Sequence, residues 1–261
     1  MALTLDQIVD LTQFPLGDAS FGARCKKTLD RDGALVLSNF IRPDALEEMR
    51  RESAAGQDQA YFCAQDHSVY LTPPNPDFPA THAANRQVVS SKGCICDDVI
   101  DQASPLRTLY DAPEFRSFVM QTTGEAALHP YADTLSSINI HYAGRGQELG
   151  WHFDNSSFAI TLLIQKPDAG SRFEYIKDLR DSGAGDMNYE GVRALLDGDT
   201  QPDVLNMDPG ALVLFRGRNS VHRVSPNESD TTRMLAVLAY NAEPGVELSE
   251  SARMTFYGRL S

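Results

Sequence analysis

Positive charge is what this chain is short of. Its 23 lysines and arginines face 36 aspartates and glutamates, for a formal net charge of −13 at pH 7. Affinity for nucleic acid is built largely on lysine and arginine against phosphate. The deficit therefore argues against a nucleic-acid partner and for a small molecule. Long apolar runs are also missing: nothing approaches the roughly 18 residues that a membrane span needs, so no membrane partner is expected. The opening "MALTLDQIVDLTQFPLG" has neither a basic flank nor a continuous apolar stretch, which argues against a secretory signal and for a cytoplasmic location. Cysteine is sparse. Cys25, Cys63, Cys94 and Cys96 in 261 residues are expected as reduced thiols, although disulfides or a Cys-x-Cys metal pair stay open as alternatives.

What is present is an ordinary globular balance, 42% hydrophobic and 23% charged, in a chain long enough for one well-cored domain. The first half is mixed. "DRDGALVLSNFIRPDALEEMRRESAAG" reads as a short strand at Ala34 to Val36 and then a helix, with Pro43 in its first turn and Asp44, Glu47 and Glu48 near its positive end. "YLTPPNPDFP" must be loop or extended chain. Leu106, Leu109 and Tyr110, and then Phe115, Phe118 and Val119, recur at helical spacing. From about Leu135 the period changes to two. "SSINIHY", "FAITLLIQ", "RFEYI", "GALVLFRG" and "RMLAVLAYN" are short strands divided by turn residues. The expected fold class is α+β, a double-stranded β-helix or jelly-roll core buttressed by N-terminal helices. One domain is expected over 1–261: mainly helical support over 1–134, and the core over 135–261 with an insertion near 176–207 that holds one short helix, "NYEGVRALLDG".

"GWHFDNSS" carries the chemistry. Residues i and i+2 of a strand share a face, so His152 and Asp154 project together while Phe153 turns into apolar packing. Alone, His-x-Asp more often marks two polar residues at a strand end. It gains meaning from His222, in "LVLFRGRNSVHRVSP", as a third ligand. Two histidines and one carboxylate leave one face of an octahedral metal open, the donor set of non-haem Fe(II) oxygenases. Eleven residues beyond His222, Arg233 heads an apolar strand. A buried guanidinium needs an anion, and a dicarboxylate would supply one.

Together "HFD", "DPGALVLFRGRNSVHRV" and "TTRMLAVLAYN" resemble the His-x-Asp…His…Arg signature of Fe(II)- and 2-oxoglutarate-dependent dioxygenases over residues 136–241. The likeness is greatest to the small bacterial branch of free-amino-acid hydroxylases and halogenases. In the halogenases a glycine replaces the carboxylate ligand; Asp154 keeps it here, which implies hydroxylation. The resemblance implies His152, Asp154 and His222 as iron ligands and Arg233 as the holder of the far carboxylate of 2-oxoglutarate. It implies O2 as the second cosubstrate, with succinate and CO2 released. Tyr142 is the candidate to hydrogen-bond the cosubstrate, with Asn139 second and Thr161 within reach of the same pocket. Asn155 and Arg172 are substrate candidates by position, and Tyr257 as a residue returning from the C-terminal segment. His141 is expected as a strand or pocket histidine; His67, His82 and His129 are expected on the surface or in loops.

Two other readings use the same residues. A cupin-like metalloenzyme would keep the triad and dispense with 2-oxoglutarate, and a jelly-roll binding module would use neither. Arg233 speaks against the first and three intact ligands against the second. Substrate identity and oligomeric state are not legible in the sequence.

Overall fold

The computed structural model describes residues 3–261. Its first half runs α1 (Leu5–Ile8), α2 (Ala19–Asp32), β1 (Ala34–Leu37), α3 (Pro43–Gly56), β2 (Tyr61–Ser68), β3 (Gln87–Ile95), α4 (Pro105–Asp111) and α5 (Pro113–Thr123). There follow β4 (Ile138–Ala143), β5 (Leu149–His152), β6 (Ala159–Gln165), β7 (Phe173–Ile176), α6 (Tyr189–Asp197), β8 (Asp203–Leu205), β9 (Leu212–Phe215), β10 (Val221–Val224), β11 (Arg233–Leu238) and α7 (Glu250–Tyr257). Local chemistry sets several of these boundaries. Asp18 caps α2 by accepting from the Ser20 N–H, and Gly33 ends it at a φ of 73°, a backbone angle that glycine takes without penalty. Pro43, Pro105 and Pro113 each open a helix where no N–H is needed. Asn188 starts α6 from a left-handed conformation and accepts from the Gly191 N–H.

The strands form two antiparallel sheets, β1-β9-β6-β11-β4-β3-β2 and β5-β10-β7-β8. From β4 onward the chain passes between them, the winding of a jelly roll. The helices cover the outer face of the larger sheet. Ile138, Ile140 and Tyr142 of β4 and Met234, Ala236 and Leu238 of β11 join that helix-facing core. The alternate residues Asn139, His141, Arg233 and Leu235 therefore face the space between the sheets. The first 134 residues supply three strands of the larger sheet as well as its helical cover.

A second apolar cluster lies on the outer face of the smaller sheet, where Val192 and Leu195 of α6 cover Trp151, Phe153 and Val221. The insertion thus props the smaller sheet from behind. All four cysteines are free thiols. No helix among the described residues is long and apolar enough to cross a membrane.

Candidate metal centre

Antiparallel pairing places His222 of β10 directly opposite His152 of β5. Their rings lie 4.1 Å apart, both on the face turned toward the larger sheet. β5 ends at His152; two residues on, the Asp154 N–H donates to the Gly217 carbonyl at 3.0 Å, which brings its carboxylate back to the histidines. Each imidazole Nε2 stands 3.6 Å from Asp154 Oδ1, too far for a hydrogen bond. The three ligand atoms all lie within 4.8 Å of one another.

Backbone carbonyls decide what those atoms present. His152 Nδ1 donates to Gly150 O at 2.8 Å and His222 Nδ1 to Ser220 O at 3.1 Å. A carbonyl can only accept, so in the neutral rings the hydrogen sits on Nδ1 and the Nε2 lone pairs point inward. Burial holds the His222 pKa down to about 4. Burial alone would push Asp154 up, but His222, His152 and Lys92 around it hold it below the ordinary carboxylate value. Asp154 Oδ2 is buried with no hydrogen-bond partner. With both rings neutral, two nitrogen lone pairs and a carboxylate crowd together with no proton between them. That set repels itself unless a cation sits at its centre, and its composition suits a first-row divalent metal. The residues present fit iron.

His152 is braced further out. Ser90 Oγ accepts the Gly150 N–H at 2.9 Å and donates to His67 Nε2 at 2.6 Å. His67 Nδ1 in turn donates to Ser68 O at 3.0 Å. Gly150, whose carbonyl orients His152, is thereby held at its N–H as well. Ser90→Ala is expected to weaken iron binding by about tenfold, the lower end for a partner that only orients a ligand; anaerobic Fe(II) titration reads it.

Arg233 lies on the inner face of β11, 7% exposed. Burial alone lowers its pKa, to about 10, with no acid beside it to offset the cost. Lys92, on β3, is within electrostatic reach of both Asp154 and Arg233, which places the arginine and the triad around one space. Phe215 and Phe173 flank His222 at 4.8 and 5.5 Å between ring centres.

Other expected site residues fall elsewhere. Tyr142 is a correction. It shares the helix-facing side with Ile138 and Ile140, and its hydroxyl donates to Ser53 O of α3 at 2.7 Å, so it cannot reach a cosubstrate. Asn139 faces inward, but its amide is spent on Leu135 O and Ile138 O and its oxygen on the Tyr257 hydroxyl. Tyr257 is therefore a buried brace between α7 and β4, not a group free for substrate. Arg172 is also corrected: its side chain is 66% exposed and pairs with Glu174, which points away from the cavity toward Arg223. Thr161 faces the cavity, opposite Val213 and Val237. It lies near the triad's end, about 13 Å along the sheet from Arg233 at four strand residues. Asn155 is exposed at the rim, where its carbonyl accepts from Arg218.

His67, expected on the surface or in a loop, stands instead on β2 and braces the site through Ser90, and Lys92 went unread in the sequence. Both lie on strands where no alternation of apolar and polar residues announces an inner face. A surface cleft of about 500 Å³ bounded by Arg86, Trp151, Leu195 and Arg223 lies behind the triad. Its ions are already paired, Arg86 with Asp197 and Arg223 with Glu174.

Residues 18–255 match the family model described as Halogenase D. No protein of curated function matches the sequence. Among solved structures, an oxidoreductase of the 2OG-Fe(II) oxygenase family from Burkholderia pseudomallei is similar with a TM-score of 0.53 at 12% identity, covering 87% of this chain and 93% of that one. The non-haem α-ketoglutarate-dependent epimerase SnoN from nogalamycin biosynthesis gives 0.57 at 11%, covering 86% and 83%. A Pseudomonas putida prolyl-4-hydroxylase gives 0.50 at 11%, covering 83% and 97%. At such identities the likeness is one of fold. The match to the family model spans most of the chain, and with it this protein belongs to the Halogenase D family, built on the fold of the Fe(II)/2-oxoglutarate oxygenases.

Proposed function

We propose that the protein is an Fe(II)- and 2-oxoglutarate-dependent dioxygenase that hydroxylates an unactivated C–H bond of a small metabolite, a free amino acid or a derivative, with release of succinate and CO2. The observation that carries this is the convergence of His152 Nε2, His222 Nε2 and Asp154 Oδ1 with both Nδ1 atoms turned to backbone carbonyls. Iron held there, with 2-oxoglutarate, supplies the oxidising power that O2 alone lacks toward C–H bonds. The protein's own work is placement. The Gly150 and Ser220 carbonyls hold both imidazoles in the binding tautomer. Arg233 offers a planar fork to the cosubstrate's far carboxylate, and that anion would relieve its burial. Phe173 and Phe215 keep water from one side of His222. Thr161 is the remaining candidate for a hydrogen bond near the metal, and Asn155 for a contact at the mouth. Asp154 fills the position that glycine takes in the halogenases the sequence resembles, so hydroxylation is favoured over halogenation despite the family's name.

The test is anaerobic Fe(II) titration, followed by a metabolite screen in air with 2-oxoglutarate that tracks succinate and the gain of one oxygen in mass. Arg233→Ala is expected to leave iron uptake intact and to raise the 2-oxoglutarate requirement roughly 30-fold or more, since an unpaired charge-assisted contact costs about 2–5 kcal/mol. An unchanged requirement removes Arg233 from the role. Turnover without 2-oxoglutarate favours the cupin-like reading, and failure to take up iron favours a binding module.

A further inference from the structure

Lys92 is a second inward-turned cation without an acid, half-buried on β3. It precedes Gly93, which pairs with the helix-facing Tyr142, so Lys92 turns the other way, with Cys94 and His141, toward the triad. Its Nζ lies 3.2 and 3.3 Å from the two ring nitrogens of His141 and 5.1 Å from the ring centre of Phe256 at the end of α7. Standing nearly equidistant from both nitrogens, the ammonium is aligned with neither lone pair. No carboxylate among the described residues forms an ion pair with it.

Lys92 and His141 are both half-buried and keep accessible surface. Both side chains stand on the sheet face turned toward the triad, with Asp154 within electrostatic reach of Lys92. Burial holds the Lys92 ammonium below the ordinary lysine value, and the nearby thiols and Asp154 do not make up the difference. Arg233 pairs with Ala143 of β4, and Lys92 comes to the same level one strand beyond. The two cations therefore rise about 10 Å apart at the backbone, two strand spacings, with only a small side chain between them.

Counting charge in this cavity leaves one cation over. With Fe(II) on the triad and 2-oxoglutarate on Arg233, the ion, the Asp154 carboxylate, the guanidinium and the two cosubstrate carboxylates cancel. Lys92 is not covered, and a charge drawn partly out of water with no counterion is costly. We propose that the substrate enters as a carboxylate anion and that Lys92 binds that carboxylate. This rests on the dioxygenase reading above and narrows its substrate class to acids.

The experiment uses protein loaded with Zn(II), a redox-inert stand-in, and saturated with 2-oxoglutarate. The probes are the free L-α-amino acids and the straight-chain monocarboxylates from acetate to hexanoate, each set against its primary amides, with binding read by saturation-transfer NMR. Some acids bind and their amides do not. Lys92→Met weakens the acids about tenfold or more, as expected for the loss of a charge-assisted partner. Lys92→Arg keeps the preference for acid over amide, and the affinity for 2-oxoglutarate stays within about twofold in both variants, well inside the effect of such a loss. The proposal is overturned if acids and amides bind alike, if no acid binds to protein that has taken up metal and cosubstrate, or if Lys92→Met leaves acid binding unchanged. It is also overturned if Lys92→Met loses 2-oxoglutarate, which would make Lys92 a cosubstrate ligand beside Arg233. Failure of the unaltered protein to take up metal or 2-oxoglutarate is a separate result, and it brings down the dioxygenase reading itself.

Discussion

Asp154→Ala is expected to weaken iron binding steeply and to abolish 2-oxoglutarate-dependent succinate formation while the protein stays folded. The reasoning turns on what the carboxylate does when no metal is present. Its Oδ2 is buried without a partner, and Oδ1 faces two imidazole lone pairs at 3.6 Å. Removing it takes away no hydrogen bond that the fold uses, because the one to the Gly217 carbonyl comes from the backbone N–H. The melting temperature of the metal-free protein should hold or rise. Iron affinity should fall by more than about 100-fold, since groups that merely orient a ligand are already worth 10–100-fold. Anaerobic Fe(II) titration beside a thermal melt separates the two effects. Unaltered iron affinity would remove Asp154 from the metal; a collapsed fold would make its role structural.

The strands after Leu135 and the pairing of His152 with Asp154 are legible in the sequence because both follow from a period of two. Which face of each strand turns inward is not. Tyr142 shows the limit: alternation separates it from Asn139 without saying which of them meets the cavity. The answer depends on α3, whose Ser53 carbonyl accepts from the tyrosine. His222 was legible as a strand histidine after an apolar run, but its position opposite His152 is a register between distant segments, fixed only when the two strands pair. His67 and Lys92 escaped for a related reason. They sit on β2 and β3, where polar residues fall on both faces because β2 is the edge of the larger sheet. A lysine there reads as solvated until the second sheet and α7 close over it. Burial without a counterion is a tertiary fact, and it is the one that gives Lys92 its meaning.

Gly217→Ala is expected to disarm the site without touching a ligand. A Cβ built on Gly217 would overlap Asp154 Oδ2 and stand 2.5 Å from its Cγ and 3.0 Å from its Cβ. The backbone is no obstacle to alanine, since Gly217 is not among the residues with positive φ. The conflict is therefore confined to Asp154. The carboxylate cannot back away as a unit, because its own N–H is tied to the Gly217 carbonyl at 3.0 Å. It must rotate, and rotation carries Oδ1 off the point where the two Nε2 atoms aim. Overpacking of this kind costs about 1–3 kcal/mol where no compromise exists; here the conflict can be relieved by turning one side chain, so the melt of the metal-free protein should move little. Iron affinity should fall by about 10–100-fold, the scale for lost ligand orientation. A double-mutant cycle checks the cause. With Asp154→Ala already in place the added methyl has much less to displace, so Gly217→Ala should then lose most of its effect on residual metal binding. Losses that simply add would mean that Gly217 acts through something other than the carboxylate it now makes room for.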